Sequence, residues 1–414
     1  MKIRALLLTA TAISVSLVLA GCAAGASTPD KTPAETPTVP PSGSPQAELD
    51  TQLIAAAWAN DVEEAARLIE AGADVNAKDS SVQSAYLIST SEGYLPLLEL
   101  TLEHGADVTS LDSWDGTGLI RAAERGHAGI VGRLLQAGID ADHVNNIGWV
   151  ALHEALEFAK PDAVDNYVDT VRVLVAGGAD VNIPAERDGL TPAEIADRNG
   201  LTPQAEILRA ADEVNEIDAN QRLLAAAHDG DADAAARALR AGADIETRND
   251  LEQTPLLLAS ANDRVDVARL LVALGADPDA LDHQHDTPWL VTGVTGSVAM
   301  LEALLPANPD MSIPNRFGGL SPIPAGERGH AGYIARVVTT GVDINHVNDL
   351  GWTALLEAVV FGDGSQRYVD LVTSLVEAGA DISIPDNNGA TALDHARKKG
   401  QNGVAAVLEN ASAR

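Results

Sequence analysis

One cysteine stands in 414 residues, aromatic side chains make up 3 %, and 27 basic residues face 60 acidic ones. A lone thiol excludes an internal disulfide framework, so stability has to come from packing. So few rings exclude a core of bulky aromatics and suit thin, closely spaced helices rich in Ala, Leu and Val. The formal charge of −33 disfavours nucleic acid and anionic lipid headgroups as partners and favours cationic or neutral ones. Also missing are the phosphate-cradling Gly-x-x-x-x-Gly-Lys-Ser/Thr loop, the Gly-x-Ser-x-Gly elbow and the His-Glu-x-x-His helix. No enzyme and no cofactor are expected.

The start of the chain reads as an export signal. Lys2 and Arg4 precede a mostly apolar stretch, Ala5 to Ala20, too short for a comfortable membrane span. It closes on Leu19-Ala20-Gly21-Cys22, which resembles the lipobox of bacterial lipoproteins. That resemblance implies lipid attachment at Cys22, cleavage after residue 21, and an extracytoplasmic protein held at the cell membrane by its lipid. Residues 22–47 hold Pro29, Pro33, Pro37, Pro40, Pro41 and Pro45 among small polar residues, the composition of a disordered tether.

Beyond the tether, a Gly-x-Asp tripeptide returns every 33 residues: Gly72, Gly105 and Gly138, then Gly242 and Gly275, with Asn308 and Gly341 on the same beat. Asn is a natural stand-in where φ must be positive. A period of this length marks stacked helical units that bury their apolar faces only against neighbours. In one unit, Leu119, Ala122 and Ala123 face inward on a short helix and Gly126-His127 turns the chain. Ile130, Val131, Leu134 and Leu135 then stripe a second helix that ends at Gly138.

Thr254-Pro255-Leu256-Leu257-Leu258-Ala259, Gly329-His330 and Asn388-Gly389-Ala390-Thr391-Ala392-Leu393 resemble the ankyrin repeat. The fold implied is an all-α solenoid of helix-turn-helix units joined by β-turn fingers, about eleven repeats in two arrays, 48–211 and 212–411, with 412–414 as a tail. Ser84-Ala85-Tyr86-Leu87 departs from the pattern, as does Ser321-Pro322-Ile323-Pro324, where Pro324 is expected to distort its helix. Glu124 to Trp149 recurs as Glu327 to Trp352 with 14 of 26 positions identical. Each copy is followed by an insertion, Phe158 to Tyr167 and Phe361 to Tyr368, so the chain reads as a tandem duplication. The beat falters over Ala211 to Ala219, expected as a seam, with Leu190 to Ala211 capping the first array.

The resemblance implies a protein partner bound on a concave face of finger tips and first helices. On that face Trp149 and Trp352 follow the finger glycines, and Glu154 and Glu357 sit nearby on the first helix, an aromatic-carboxylate pair suited to a basic or amphipathic group. The competing reading of each tryptophan is packing across its own finger. His127 and His330 read as braces of the inter-helix turn, and His143 and His346 as structural or contact residues in the fingers. Asp282-His283-Gln284-His285-Asp286 is the one run with metal-like spacing, and it lacks a third distant ligand. The reading is a lipid-anchored, non-enzymatic binding scaffold. Its alternatives are an acidic immunity or accessory protein masking a basic exported protein, and a metal-binding protein or weak hydrolase.

Overall fold

A computed structural model describes residues 43–160, 162–211 and 217–413; the export signal, Cys22 and most of the expected tether lie outside them. Within the described residues 22 α-helices form eleven successive pairs. The first array holds α1 (Pro45–Trp58) and α2 (Val62–Glu70), α3 (Ala85–Glu92) and α4 (Leu95–Glu103), and α5 (Gly118–Glu124) and α6 (Ala128–Gln136). It continues with α7 (Ala151–Glu157) and α8 (Val164–Ala176), then α9 (Pro192–Arg198) and α10 (Thr202–Ala211). The second array opens with α11 (Ala219–Asp229) and α12 (Ala232–Arg240), α13 (Pro255–Ala261) and α14 (Val265–Ala273), and α15 (Pro288–Thr295) and α16 (Val298–Leu304). It closes with α17 (Pro322–Arg328) and α18 (Ala331–Val337), α19 (Ala354–Phe361) and α20 (Gln366–Glu377), and α21 (Ala392–Lys399) and α22 (Asn402–Ser412). Among the described residues, strand pairing is limited to one isolated bridge, Leu111 to Thr117.

Each pair is specified locally. Thr117, Thr254, Thr287 and Thr353 end an extended finger and cap the first helix, their hydroxyls accepting the third helical amide. Asn308 takes φ 51° where eight other repeats place glycine, after a short 3-10 turn at Leu305–Ala307. First helices stack on first helices along each array, and second helices on second helices. His127 donates to the Ser91 carbonyl at 3.1 Å and His330 to the Val294 carbonyl at 3.2 Å, bracing each turn against the preceding repeat. The insertions lengthen second helices: α8 has 13 residues and α20 has 12, against 9 in α6. The tyrosine in each extra turn reaches back, Tyr167 to the Glu124 carbonyl at 3.0 Å and Tyr368 to that of Glu327 at 2.9 Å.

Three expectations change. Pro324 does not distort α17: it falls in the first turn, where its missing N–H has no intrahelical partner to lose. α1 begins at Pro45, inside the stretch expected as tether, because Ser44 accepts the Ala47 amide and Pro is favoured in a first helical turn. The pair α9–α10 is no solvent-facing cap, since α10 packs against α12 as well as α8.

Across the seam the arrays meet through their second helices: α10 against α12, α8 against α12 and α14, and α6 against α14. As helices of the first array are counted backward, those of the second are counted forward, so the second array doubles back along the first. The junction is built in detail. Arg240 donates to the carbonyls of Ala179, Val175 and Ala211 at 2.7, 3.3 and 3.2 Å, and Arg172 meets Asp233 at 2.6 Å. Gly132 lets α14 approach so closely that a Cβ there would lie 2.1 Å from the Ala273 carbonyl oxygen. Gln136 donates to that same oxygen at 2.7 Å.

Candidate functional site

The fingers determine which side chains meet solvent. Asp112, Asn145, Asn315 and Asn348 each open a finger and accept, through one side-chain oxygen, the amides two and four residues on. The loop wraps around that oxygen and turns its middle residue outward. Those middle residues are apolar: Trp114 is 58 % exposed and Phe317 is 52 % exposed, with Ile147 and Leu350 exposed beside them. Neighbouring fingers are tied together, Asn146 donating to the Trp114 carbonyl and Asp349 to the Phe317 carbonyl, both at 3.0 Å.

Beneath each finger pair lies a carboxyl group. Glu154 on α7 accepts from Asn145 Nδ2 at 2.8 Å, and Glu357 on α19 accepts from Asn348 Nδ2 at 3.0 Å. Both are buried. Burial pushes both carboxyls up to about 7, and the nearby charges of Glu124 and Glu327 add to the rise. Phe158 follows α7 and Phe361 ends α19, each exposed and each edge-on to a tryptophan, at 6.3 Å from Trp149 and 5.3 Å from Trp352.

The result is a recess in each array, at corresponding positions of the internal repeat. The first, about 200 Å³, lies among Trp114, Ile120, Arg121, Glu124, Ile147, Glu154 and Phe158. The second, about 360 Å³, lies among Phe317, Ile323, Pro324, Glu327, Leu350, Glu357 and Phe361. A carboxylate floor, a ring wall and an aliphatic lip can hold the side chain of another protein; neither recess brings together a nucleophile and a base.

Of the residues singled out in the sequence, Glu154 and Glu357 form the floors. Trp149 is only 9 % exposed and supports Phe158 from behind, whereas Trp352 is half-buried and lines its recess. The finger-tip aromatics Trp114 and Phe317 were missed, although Asp112 and Asn315 two residues before them were there to be read, and Phe158 and Phe361 were read as the start of each insertion and not as site residues. His143 and His346 tie finger to finger, donating to the Asp115 and Gly318 carbonyls at 2.7 and 2.6 Å. His283 is held likewise by the Leu251 carbonyl at 3.0 Å, and among the described residues no group of three His, Cys, Asp or Glu side chains is arranged to hold a metal. Among the same residues, no helix is long and apolar enough to cross a membrane.

Family models for ankyrin repeats match residues 85–185 and 223–315 in sets of three copies, and a single-repeat model matches 350–387. The putative ankyrin repeat protein YahD of Escherichia coli K12 is 35 % identical over 191 residues, covering 46 % of this chain and 95 % of its own length. The chain belongs to the ankyrin-repeat family. The B-cell lymphoma 3 protein homolog of Mus musculus is 29 % identical over 162 residues, 38 % of this chain and 35 % of that protein. A crystal structure of an ankyrin repeat domain from Acinetobacter baumannii is 36 % identical, covers 46 % of this chain and 97 % of that domain, and superposes with a TM-score of 0.44. Ankyrin repeats in general are scaffolds for binding other proteins rather than enzymes, which agrees with a site of recesses and exposed tips.

Proposed function

We propose that this ankyrin protein is a lipid-anchored scaffold outside the cytoplasm that binds a protein partner through its finger and first-helix face. The observation that carries the binding reading is the recurrence of one recess in both arrays, ringed by outward rings that a protein acting alone has no reason to expose. Because the fingers are hydrogen-bonded to one another, little conformational freedom is lost on binding. Two recesses at corresponding positions, with different contents, allow one partner to be contacted at two places, with a gain in avidity where both are reached together. The candidate contact residues Glu154, Glu357 and Trp352 act within the recesses, and Trp149 acts by holding Phe158.

Anchoring rests on the Leu19-Ala20-Gly21-Cys22 pattern. Metabolic labelling with a fatty-acid analogue should mark the native chain and not Cys22→Ser; equal labelling of both would end that reading. For the binding face, a photo-crosslinking residue is placed at Trp114 or Phe317, and at Glu377 on the exposed side of α20 as control. The same partner should be recovered from both finger positions in intact cells. Recovery from Glu377 alone, or from none of the three, would remove the face assigned here.

A further inference from the structure

The two recesses share one plan and differ most tellingly at two side chains. In the first, Arg121 on α5 lays its guanidinium between two carboxylates, 3.3 Å from Asp112 and 2.5 Å from Glu124. That recess already holds a cation, supplied by the chain itself. In the second, Pro324 occupies the equivalent position on α17 and Asn315 stands where the first has Asp112, so that of the two carboxylates around the guanidinium only the counterpart of Glu124, Glu327, remains, with Glu357 at the floor. The second recess measures about 360 Å³ against about 200 Å³ in the first, and its lining reaches further, to Val291, Val294 and Arg316.

The two arginines at the second rim do not fill this space. Arg316 contacts Gln284 and Asp286, each at 3.2 Å, and stacks on the Phe317 ring at 4.8 Å. Arg328 acts on Glu357 through its charge and reaches Glu327 at 3.2 Å with the two side chains 42 % and 43 % exposed, a solvent-screened contact of little strength that leaves the space itself open. Its counterpart Arg125 is drawn off to Glu92 at 2.8 Å, and the residue corresponding to Glu92 in the second array is Thr295. What the open recess offers is the Glu327 carboxylate and the Glu357 carboxyl at the base with Phe361 and Leu350 above them, the complement of a cation on an alkyl stem.

We infer that the second recess receives an arginine or lysine side chain of the protein partner, in the place that Arg121 fills within the first. The inference rests on the finger face being the binding face and adds the chemistry of what enters it. The charge of −33 suits a basic partner.

The full chain is titrated with butylguanidinium, and with butylurea as its neutral twin, while backbone amides are followed by NMR. Butylguanidinium should move Phe317, Gly319, Leu350 and Trp352, leave Trp114 and Gly116 in place, and bind about tenfold more tightly than butylurea. Arg121→Ala should add a second responding set at Trp114 and Gly116. Pro324→Arg should abolish the response. If that variant does not fold by circular dichroism, Glu327→Gln serves instead, with an expected loss of about tenfold. An equal response to butylurea overturns the inference, as does a response at both recesses of the unaltered chain. So does movement of the same amides by inorganic phosphate in place of butylguanidinium. Should butylguanidinium fail while crosslinks from Trp114 and Phe317 still capture a partner, this inference falls and the scaffold reading stands. If the crosslinks fail while butylguanidinium binds, the binding face is what falls.

Discussion

Helices α8 and α20 occupy the same place in the two arrays, follow the same kind of insertion, and live in different surroundings. Eight of the 13 residues of α8 are buried, against four of the 12 in α20. α20 is sealed by α18 and α22 within its own array, whereas α8 is packed by α6 and α10 and also by α12 and α14 from the other array. The sequences record this. Val173 and Ala176 on α8 correspond to Ser374 and Glu377 on α20, and Arg172, which pairs with Asp233 across the seam, corresponds to Thr373. On α6, buried Gly132 corresponds to exposed Ala335, and Gln136 to Thr339. One repeat plan therefore serves both a solvent-facing and an array-facing second helix through a handful of exchanges on the outer side of the stripe.

The sharpest way to break this comparison is a charge placed at the paired positions. Val173→Asp buries an unpaired carboxylate at the array junction and should cost on the order of 3 kcal/mol or more, while Ser374→Asp should stay within about 0.5 kcal/mol. Urea unfolding of both variants checks it. The Val173 variant is also expected to show two transitions instead of one, because detached arrays lose their shared cooperativity. Equal effects at the two positions would mean that the arrays do not pack through α8.

Gly132 comes next. On a free helix Gly→Ala stabilises by about 1 kcal/mol. At Gly132 the added methyl meets the Ala273 backbone, so Gly132→Ala should instead destabilise, by about 1–2 kcal/mol net. At the corresponding site Ala335→Gly should show only the loss of helix propensity, about 1 kcal/mol. Small-angle scattering gives a second readout: an array pair forced apart at Gly132 has a larger radius of gyration, and the Ala335 variant does not.

The recesses extend the comparison to pH. Glu154 and Glu357 have folded-state pKa values of about 7 against an ordinary value of 4.5. Between those values the folded chain binds more protons than the unfolded one, so stability falls as pH rises from about 4.5 to about 7. The melting temperature is therefore expected to be higher near pH 5.5 than near pH 8. Glu154→Gln and Glu357→Gln together should remove most of that difference. If one substitution flattens the profile and the other leaves it alone, the recesses are not electrostatic equivalents. Arg121, whose charge acts on Glu154, and Arg328, whose charge acts on Glu357 from a different position, would be the first places to look.

The stack itself was legible because packing within a repeat is local: the glycine beat, the threonine caps and the apolar stripes all lie within one 33-residue window. Even the substitution of Asn308 for glycine could be read, since positive φ is a property of one residue. What could not be read from a single repeat was how the arrays lie against each other. The faltering beat near Ala211 marks a seam without giving its direction, and the residues that set the direction, Gly132, Arg172, Val173 and Arg240, mean little alone. Val173 against Ser374 becomes informative only when the blocks are aligned and the question asked is why one outer face is apolar. The site was half legible for a related reason. Glu154 and Glu357 lie on regular helices whose facing can be counted, whereas Trp114 and Phe317 sit on loops whose direction depends on the Asp112 and Asn315 side-chain bonds. Pro324 was misjudged because the start of α17 lies at Pro322, leaving the proline in the first turn.

The smallest expected effect tests the outer-face rule from the other side. Ser374→Val with Glu377→Ala makes α20 resemble α8 where α8 is covered, but no array is present to cover it. Glu377 is exposed and Ser374 gives up only its bond to the Asp370 carbonyl within the same helix, so folding stability should change by no more than about 0.5 kcal/mol. The change appears in association instead: a new apolar strip on an exposed helix invites a second copy, and sedimentation should show weak self-association that rises with concentration. The same substitutions leaving the chain monomeric at all concentrations would show that the exchanges on α8 are not by themselves enough to recruit an array. Arg240 and the close approach at Gly132 would then carry the docking, with the valine and alanine filling a junction that those residues create.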